Sequence, residues 1–195
     1  MYIIGMALKQ TMSQSTINEF KSYIEQYPQK ATWHIISDYC FDDDTKENDS
    51  MTFSVLLNHD NIDIIKKTIH DLAPKDIKNT RTINDLFLNY INSKVFYHFT
   101  FLLRKKDNFL SSIITKEFIE YYIYEIEEII NAWKVNSPHS KKYMDEVIDR
   151  LKLFRNDIKK KSYNYKLARK ILLTSLISGL ITYYLNLFSF PKAIS

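Results

Sequence analysis

With 195 residues, 45% of them hydrophobic and 14% aromatic, the chain is long enough to bury a core and too apolar to stay disordered. Its two glycines, Gly5 and Gly179, and its single cysteine, Cys40, exclude a phosphate-cradling P-loop, a dinucleotide fingerprint, an internal disulfide and a paired-cysteine zinc clamp. Charge is segregated: residues 1–100 carry 10 Lys+Arg against 13 Asp+Glu and residues 101–195 carry 17 against 10, so a net −3 and a net +7 make up the total of +4.

The opening segment, MYIIGMALKQTMSQ, has too short an apolar run for a secretory signal and no clear cleavage site. Together with the lone cysteine, this predicts a cytoplasmic protein. A helix is expected over Ser15–Tyr27. Thr16 and Glu19 have capping-box spacing, and Ile17, Phe20, Ile24 and Tyr27 recur at helical intervals before Pro28. Thr32–Phe41, rich in β-branched and aromatic residues, reads as a strand. Asp42–Ser50 is a polar, acidic connection. It lacks the glycine of a calcium-binding EF-hand loop and reads as a solvated hairpin tip. Met51–Leu57 alternates cleanly and predicts a second strand paired with the first.

Asn61–Leu72 carries Ile62, Ile65 and Ile69 on one stripe and reads as a helix closed by Ala73-Pro74. A short helix capped by Thr82, with Asp85 three residues on, is expected to reach Ile91. Lys94–Leu103 reads as a strand with Val95, Tyr97, Phe99, Phe101 and Leu103 on one apolar face. After a turn at Arg104–Asn108 the pattern is helical. Ile119, Ile123, Ile126, Ile130 and Trp133 form one stripe, and Met144, Ile148, Leu151, Phe154 and Ile158 form the next. Between them, Ser137-Pro138 suits an N-cap followed by proline at the first helical position. The expected fold is therefore α+β, with a small, mainly antiparallel sheet flanked by helices and three longer C-terminal helices. The sheet-containing part spans residues 1–108 and the helical part 109–195, packed as one domain.

The last predicted helix, Ile171–Phe190, holds 20 residues without a charge and follows Lys166, Arg169 and Lys170. That length suits a bilayer span with a basic cytoplasmic edge. However, Ser175, Ser178, Thr182, Asn186 and Ser189 fall on one stripe with Gly179 beside it. This favours a core helix whose narrow side packs closely on a neighbour. The apolar character so near Ser195 leads us to expect that the natural chain continues further.

Each strand has one apolar face and one mixed face. The mixed faces offer His34, Ile36, Asp38 and Cys40 on the first strand, Thr52 and Ser54 on the second, and His98 and Thr100 on the third. Aligned, they bring His34, Asp38, Ser54 and His98 together. Unaligned, they are the solvated side of an antiparallel sheet. A carboxylate on a strand is held with little freedom, as a Mg²⁺ or Mn²⁺ site for phosphoryl transfer requires. Asp38 is the first candidate. Asp76, Glu117 and Glu120 are further acidic candidates, and Lys78 is placed to touch a phosphate. Cys40, in an apolar strand, reads as a small core residue, and Tyr121, Tyr122 and Tyr124 read as core or rim.

The order of a strand with Asp38, a second strand, a helix and the acid-x-Lys motif Asp76-Ile77-Lys78 resembles uncharacterised bacterial domains of the ribonuclease H-like class, over residues 32–103. The resemblance implies a divalent-metal-dependent protein acting on nucleic acid, with Asp38 as first ligand and Asp76 as second, both catalytic. The chain departs from that pattern in having Asp where Glu is expected at the second position, and in lacking an acidic helix motif after Ile171. Two other readings compete with it. One is a non-enzymatic interaction module whose basic helices, including Lys159, Lys160 and Lys161, dock nucleic acid or an acidic protein. The other is a protein tethered to a membrane by its C-terminal apolar helix.

Overall fold

The fold is described from a computed structural model, which covers residues 2–74, 82–107 and 109–190. It is α+β, as expected, with three antiparallel strands and, among the described residues, eight α-helices. Internal contacts divide the chain into two compact units. One comprises Met1–Ala7 with Arg104–Leu176, and the other Leu8–Leu103 with Ile177–Ser195.

The sheet belongs to the second unit. β1 (Trp33–Cys40), β2 (Asn48–Leu57) and β3 (Phe96–Arg104) lie in the order β1-β2-β3. In the β1–β2 pair Trp33 stands opposite Leu57, Ile36 opposite Ser54 and Asp38 opposite Thr52. The alternation of β2 is realised in full on its inner face, where Met51, Phe53 and Val55 are buried. β2 begins earlier than expected, at Asn48, because the acidic connection is itself structured. Asp49 accepts from the Asp42 backbone N–H at 3.0 Å, while Asp43 accepts from the Thr45 N–H at 3.0 Å. Asp42 takes a left-handed φ of 60°, a conformation that Asp tolerates better than most residues.

The inner face is covered by aromatic side chains. Phe20, on α2 (Ile17–Ile24), has no exposed surface and lies 5.1 Å from Tyr97, 4.9 Å from Phe99 and 6.1 Å from Phe188 between ring centroids. Tyr23, one turn on, meets Trp33 at 5.6 Å and Tyr97 at 5.3 Å. Burial, with the Tyr27 phenol beside it, pushes the Tyr23 hydroxyl well above the ordinary phenol range. The Tyr27 hydroxyl donates to the Lys94 carbonyl, tying the end of α2 to the entrance of β3.

Two expectations about these helices are corrected. A helix not anticipated, α1 (Tyr2–Ser15), precedes α2, with Ile4 and Met12 as its buried contacts. These lie too far apart in sequence to stand out as a periodic stripe. Thr16 does not form the expected capping box, because its hydroxyl is bonded to the Tyr97 hydroxyl instead. Further on, α3 (Ile62–Leu72) is capped by Asn61, which accepts from the Asp63 N–H at 2.9 Å. α4 (Asp85–Ile91) is capped by Asn84, not Thr82, through the Leu86 N–H at 2.9 Å.

The first unit is helical. α5 (Phe109–Ile113) leads to α6 (Lys116–Asn136), α7 (Lys141–Ile158) and the beginning of α8 (Tyr165–Ser189), which continues into the second unit. Thr115 caps α6 by accepting from the Phe118 N–H at 3.2 Å. The expected stripe is buried at Ile119, Ile123 and Ile130, but Trp133 is 57% exposed. In that last turn Lys134 faces α7 instead, paired with Asp145, whose carboxylate this contact holds below the usual range. Ser137 makes no side-chain cap, and Pro138–Ser140 forms a short 3-10 turn before α7 begins. Arg155 on α7 pairs with Glu127 on α6, whose side chain is only 14% exposed. The end of α7 is closed by the Tyr165 hydroxyl, which donates to the Ile158 carbonyl at 2.7 Å. The Arg169 guanidinium donates to the Ile114 carbonyl, also at 2.7 Å.

Two stability tests follow from this packing. Phe20→Ala is expected to cost about 3–5 kcal/mol in denaturant unfolding, because it empties the centre of the aromatic cluster. Arg155→Met alone is expected to destabilise the protein more than the double variant Glu127→Met/Arg155→Met. The single change strands a mostly buried carboxylate, whereas the double change leaves no charge there. Equal losses in the two proteins would show that the ion pair is irrelevant to the fold.

Candidate functional surfaces

The mixed faces of the three strands do align. The Ser54 hydroxyl lies 2.8 Å from His98 Nδ1, and the Thr52 hydroxyl lies 3.2 Å from that of Thr100. With the β1 register, this gives one row of Asp38, Thr52 and Thr100 and a neighbouring row of Ile36, Ser54 and His98. His98 Nε2 lies 2.8 Å from the Ile91 carbonyl, which can only accept. In the neutral ring Nδ1 is therefore the acceptor, and Ser54 donates to it. His34 Nε2 is engaged with Asn58 Oδ1 at 3.0 Å. The alignment is thus a ladder of cross-strand hydrogen bonds, with both nitrogens of His98 committed.

Asp38 is exposed on this face. Asp76 and Lys78 lie outside the described residues. Glu117 is exposed in the first turn of α6, in the other unit from Asp38. Its own backbone N–H at the helix start, with the Thr115 hydroxyl, holds its carboxylate below the usual range. Among the described residues no group of three or more His, Cys, Asp or Glu side chains is arranged to hold a metal ion. Asp38 thus shares a row with Thr52 and Thr100, and no group of three or more such side chains forms around it among the described residues.

Lys159, Lys160 and Lys161 are exposed just beyond α7. The charges of this region are interleaved. Lys160 pairs with Asp157, Lys152 with Asp149 at 3.0 Å, and Arg155 and Lys134 reach across to acids on the neighbouring helix. Part of the basic excess is thereby offset by neighbouring acids.

α8 carries the feature that distinguishes this chain from an ordinary helical surface. Leu173, Ile177, Ile181 and Tyr184 are 5% exposed or less, whereas Ile171, Tyr183 and Leu187 are 54%, 52% and 41% exposed. Only 28% of its most apolar 18-residue window is buried. The expectation of a helix whose small, polar side packs closely is overturned for Ser175, Gly179, Thr182 and Asn186, which face outward, whereas Ser178 is half-buried and Ser189 buried. A Cβ placed at Gly179 would meet nothing within 4 Å. Burying the Leu, Ile and Tyr side gains more than burying small polar groups. The polar side chains also lose little by facing away from partners. Ser175 donates to the Ile171 carbonyl at 2.9 Å, Thr182 to Ser178 at 2.8 Å and Asn186 to Thr182 at 3.0 Å, all within the helix.

The charge-free run was legible in the sequence, but the side that turns outward was not. Tyr121 and Tyr124, expected at core or rim, are 55% and 51% exposed on α6. Compared with protein-family models, curated proteins and solved structures, the chain matches none.

Proposed function

We propose that this chain is a non-enzymatic docking protein whose contact surface is the outward side of α8. The observation that carries the reading is a 25-residue helix, uncharged from Ile171 to its end, whose outward side carries Ile171, Leu187 and the Tyr183 ring beside Ser175, Thr182 and Asn186, each of which donates to its own helix backbone. A helix side facing only water normally carries charged residues. Completing the burial of Ile171, Tyr183 and Leu187 is worth on the order of 1 kcal/mol each. A contact made there therefore gains apolar burial, and the donors of Ser175, Thr182 and Asn186 are already spent within the helix.

A second reading rests on the aligned rows of the sheet. In it, Asp38, with the Thr52 and Thr100 hydroxyls beside it, is the first ligand of a Mg²⁺ or Mn²⁺ ion in a ribonuclease H-like protein acting on nucleic acid. Asp76 supplies the second carboxylate in this reading.

The two readings separate experimentally. For docking, the full chain is compared with Thr182→Glu/Leu187→Glu by a fluorescent apolar-surface probe and by sedimentation velocity. The probe signal or self-association of the parent should be lost in the variant, with unfolding stability changed by no more than about 0.5 kcal/mol, as for exposed positions. A parent that neither binds the probe nor associates would remove the reading. For the metal, thermal unfolding with millimolar Mn²⁺ should shift upward in the parent and stay unchanged in Asp38→Asn. No shift in either protein would remove the second reading.

A further inference from the structure

We infer that the outward stripe of α6 is a second contact surface, and that its occupant is a cationic helix of a partner protein, with lysine or arginine flanking an aliphatic stretch. The stripe shares no residue with the outward side of α8, and the inference stands independently of that reading.

The stripe follows from burial of the opposite side. With Ile119, Ile123 and Ile130 buried, the 3.6-residue period turns Glu117, Tyr121, Tyr124, Glu128, Ala132 and Val135 outward, and all six are exposed. Tyr121 and Tyr124 meet no other aromatic ring among the described residues, whereas Phe118 and Tyr122 stack on each other at 6.4 Å. Exposed tyrosines of this kind supply large contact area at little entropic cost and are enriched where proteins meet.

Charge selects the partner. From Glu117 to Trp133 the helix carries five Glu and no Lys, Arg or His. Glu120 is paired with Lys116 at 3.8 Å and Glu127 with Arg155, but Glu117 and Glu128 on the stripe are in no ion pair among the described residues. A third carboxylate, Glu125, accepts from the Tyr121 hydroxyl. Carboxylates and the negative faces of tyrosine rings attract a cation and repel an anion alike. The stripe therefore disfavours nucleic acid and anionic lipid and suits lysine or arginine. A second copy packed here would set two acidic stripes on one seam.

The spacing selects a helix. The six positions follow at intervals of 4, 3, 4, 4 and 3 residues, as along a seam where two helices pack side by side. Glu117 and Glu128 stand 11 residues apart, about 16 Å along the axis, with the two tyrosines between them. A partner helix with a cation at each end of such a span and Leu, Ile or Met between matches both features.

The test titrates the full chain into a labelled synthetic helical peptide of Leu and Lys, with the lysines flanking a leucine stripe, and into its counterpart with Glu for every Lys. Binding is read by fluorescence anisotropy at low and high salt. Sedimentation velocity without peptide is run in parallel. Three proteins with matching unfolding midpoints are compared: the parent, Glu117→Gln/Glu128→Gln and Tyr121→Ser/Tyr124→Ser. The parent is expected to bind the lysine peptide and not the glutamate one, with affinity about tenfold lower or less in each variant and reduced at high salt. Equal binding of the two peptides, or binding undiminished in Glu117→Gln/Glu128→Gln, would overturn the cationic selection. Binding undiminished in Tyr121→Ser/Tyr124→Ser would overturn the role of the stripe. A parent that binds neither peptide would remove the inference, and self-association lost in Tyr121→Ser/Tyr124→Ser would replace the cationic helix by a second copy.

Discussion

The sheet unit depends on the packing of Phe20. It is fully buried, and its ring meets β3 through Tyr97 and Phe99 and the end of α8 through Phe188. Three elements distant in sequence are thereby held by one side chain, with the flanking Tyr23 extending the cluster to Trp33 on β1. Aromatic pairs of this kind add about 0.5–1.5 kcal/mol each beyond the area they bury. Because Phe20, Tyr23, Tyr97 and Phe99 occupy one face of the sheet, the other face is left to His34, Asp38, Thr52, Ser54, His98 and Thr100. The polarity of that face is thus a consequence of the aromatic one.

The same commitment shapes α8. Once Ile181, Tyr184 and Phe188 are drawn inward, the 3.6-residue period turns Thr182, Tyr183, Asn186 and Leu187 outward. The outward side carries no charge, and its Thr182 hydroxyl and Asn186 amide donate to the helix backbone. The helical unit solves its surface differently, with ion pairs such as Lys134–Asp145 and Arg155–Glu127 between helices and Lys152–Asp149 along one. The two solutions leave α8 as the long uncharged exposure among the described helices.

The polar sheet face and the α8 face also differ in what chemistry they offer. On the sheet, His98 is tied at both nitrogens and Ser54 and Thr52 are spent on cross-strand bonds. Its chemistry is thus narrowed to the Asp38 carboxylate and whatever joins it. The α8 face offers no reactive group, only apolar area, so its work is contact instead of catalysis. This is why a docking role is drawn from α8, while a metal is tied to Asp38.

The sequence by itself determined the types of element. Alternation in Met51–Leu57 and Lys94–Leu103 marks strands, and the spacing of Ile119, Ile123 and Ile130 marks a helix face, because periodicity is a property of one chain segment and its backbone geometry. It also determined the charge segregation and the uncharged stretch from Ile171. Only the tertiary structure decided the Ser54–His98 and Thr52–Thr100 pairings, since strand register depends on a partner that no single segment names. It likewise decided that Lys134, not Trp133, faces α7, that Asn84 displaces Thr82 as a cap, and that the small side of α8 looks outward. Each of these is a competition between two locally acceptable arrangements. The winner is set by which neighbour is present to be buried against, and that information resides in the assembled fold.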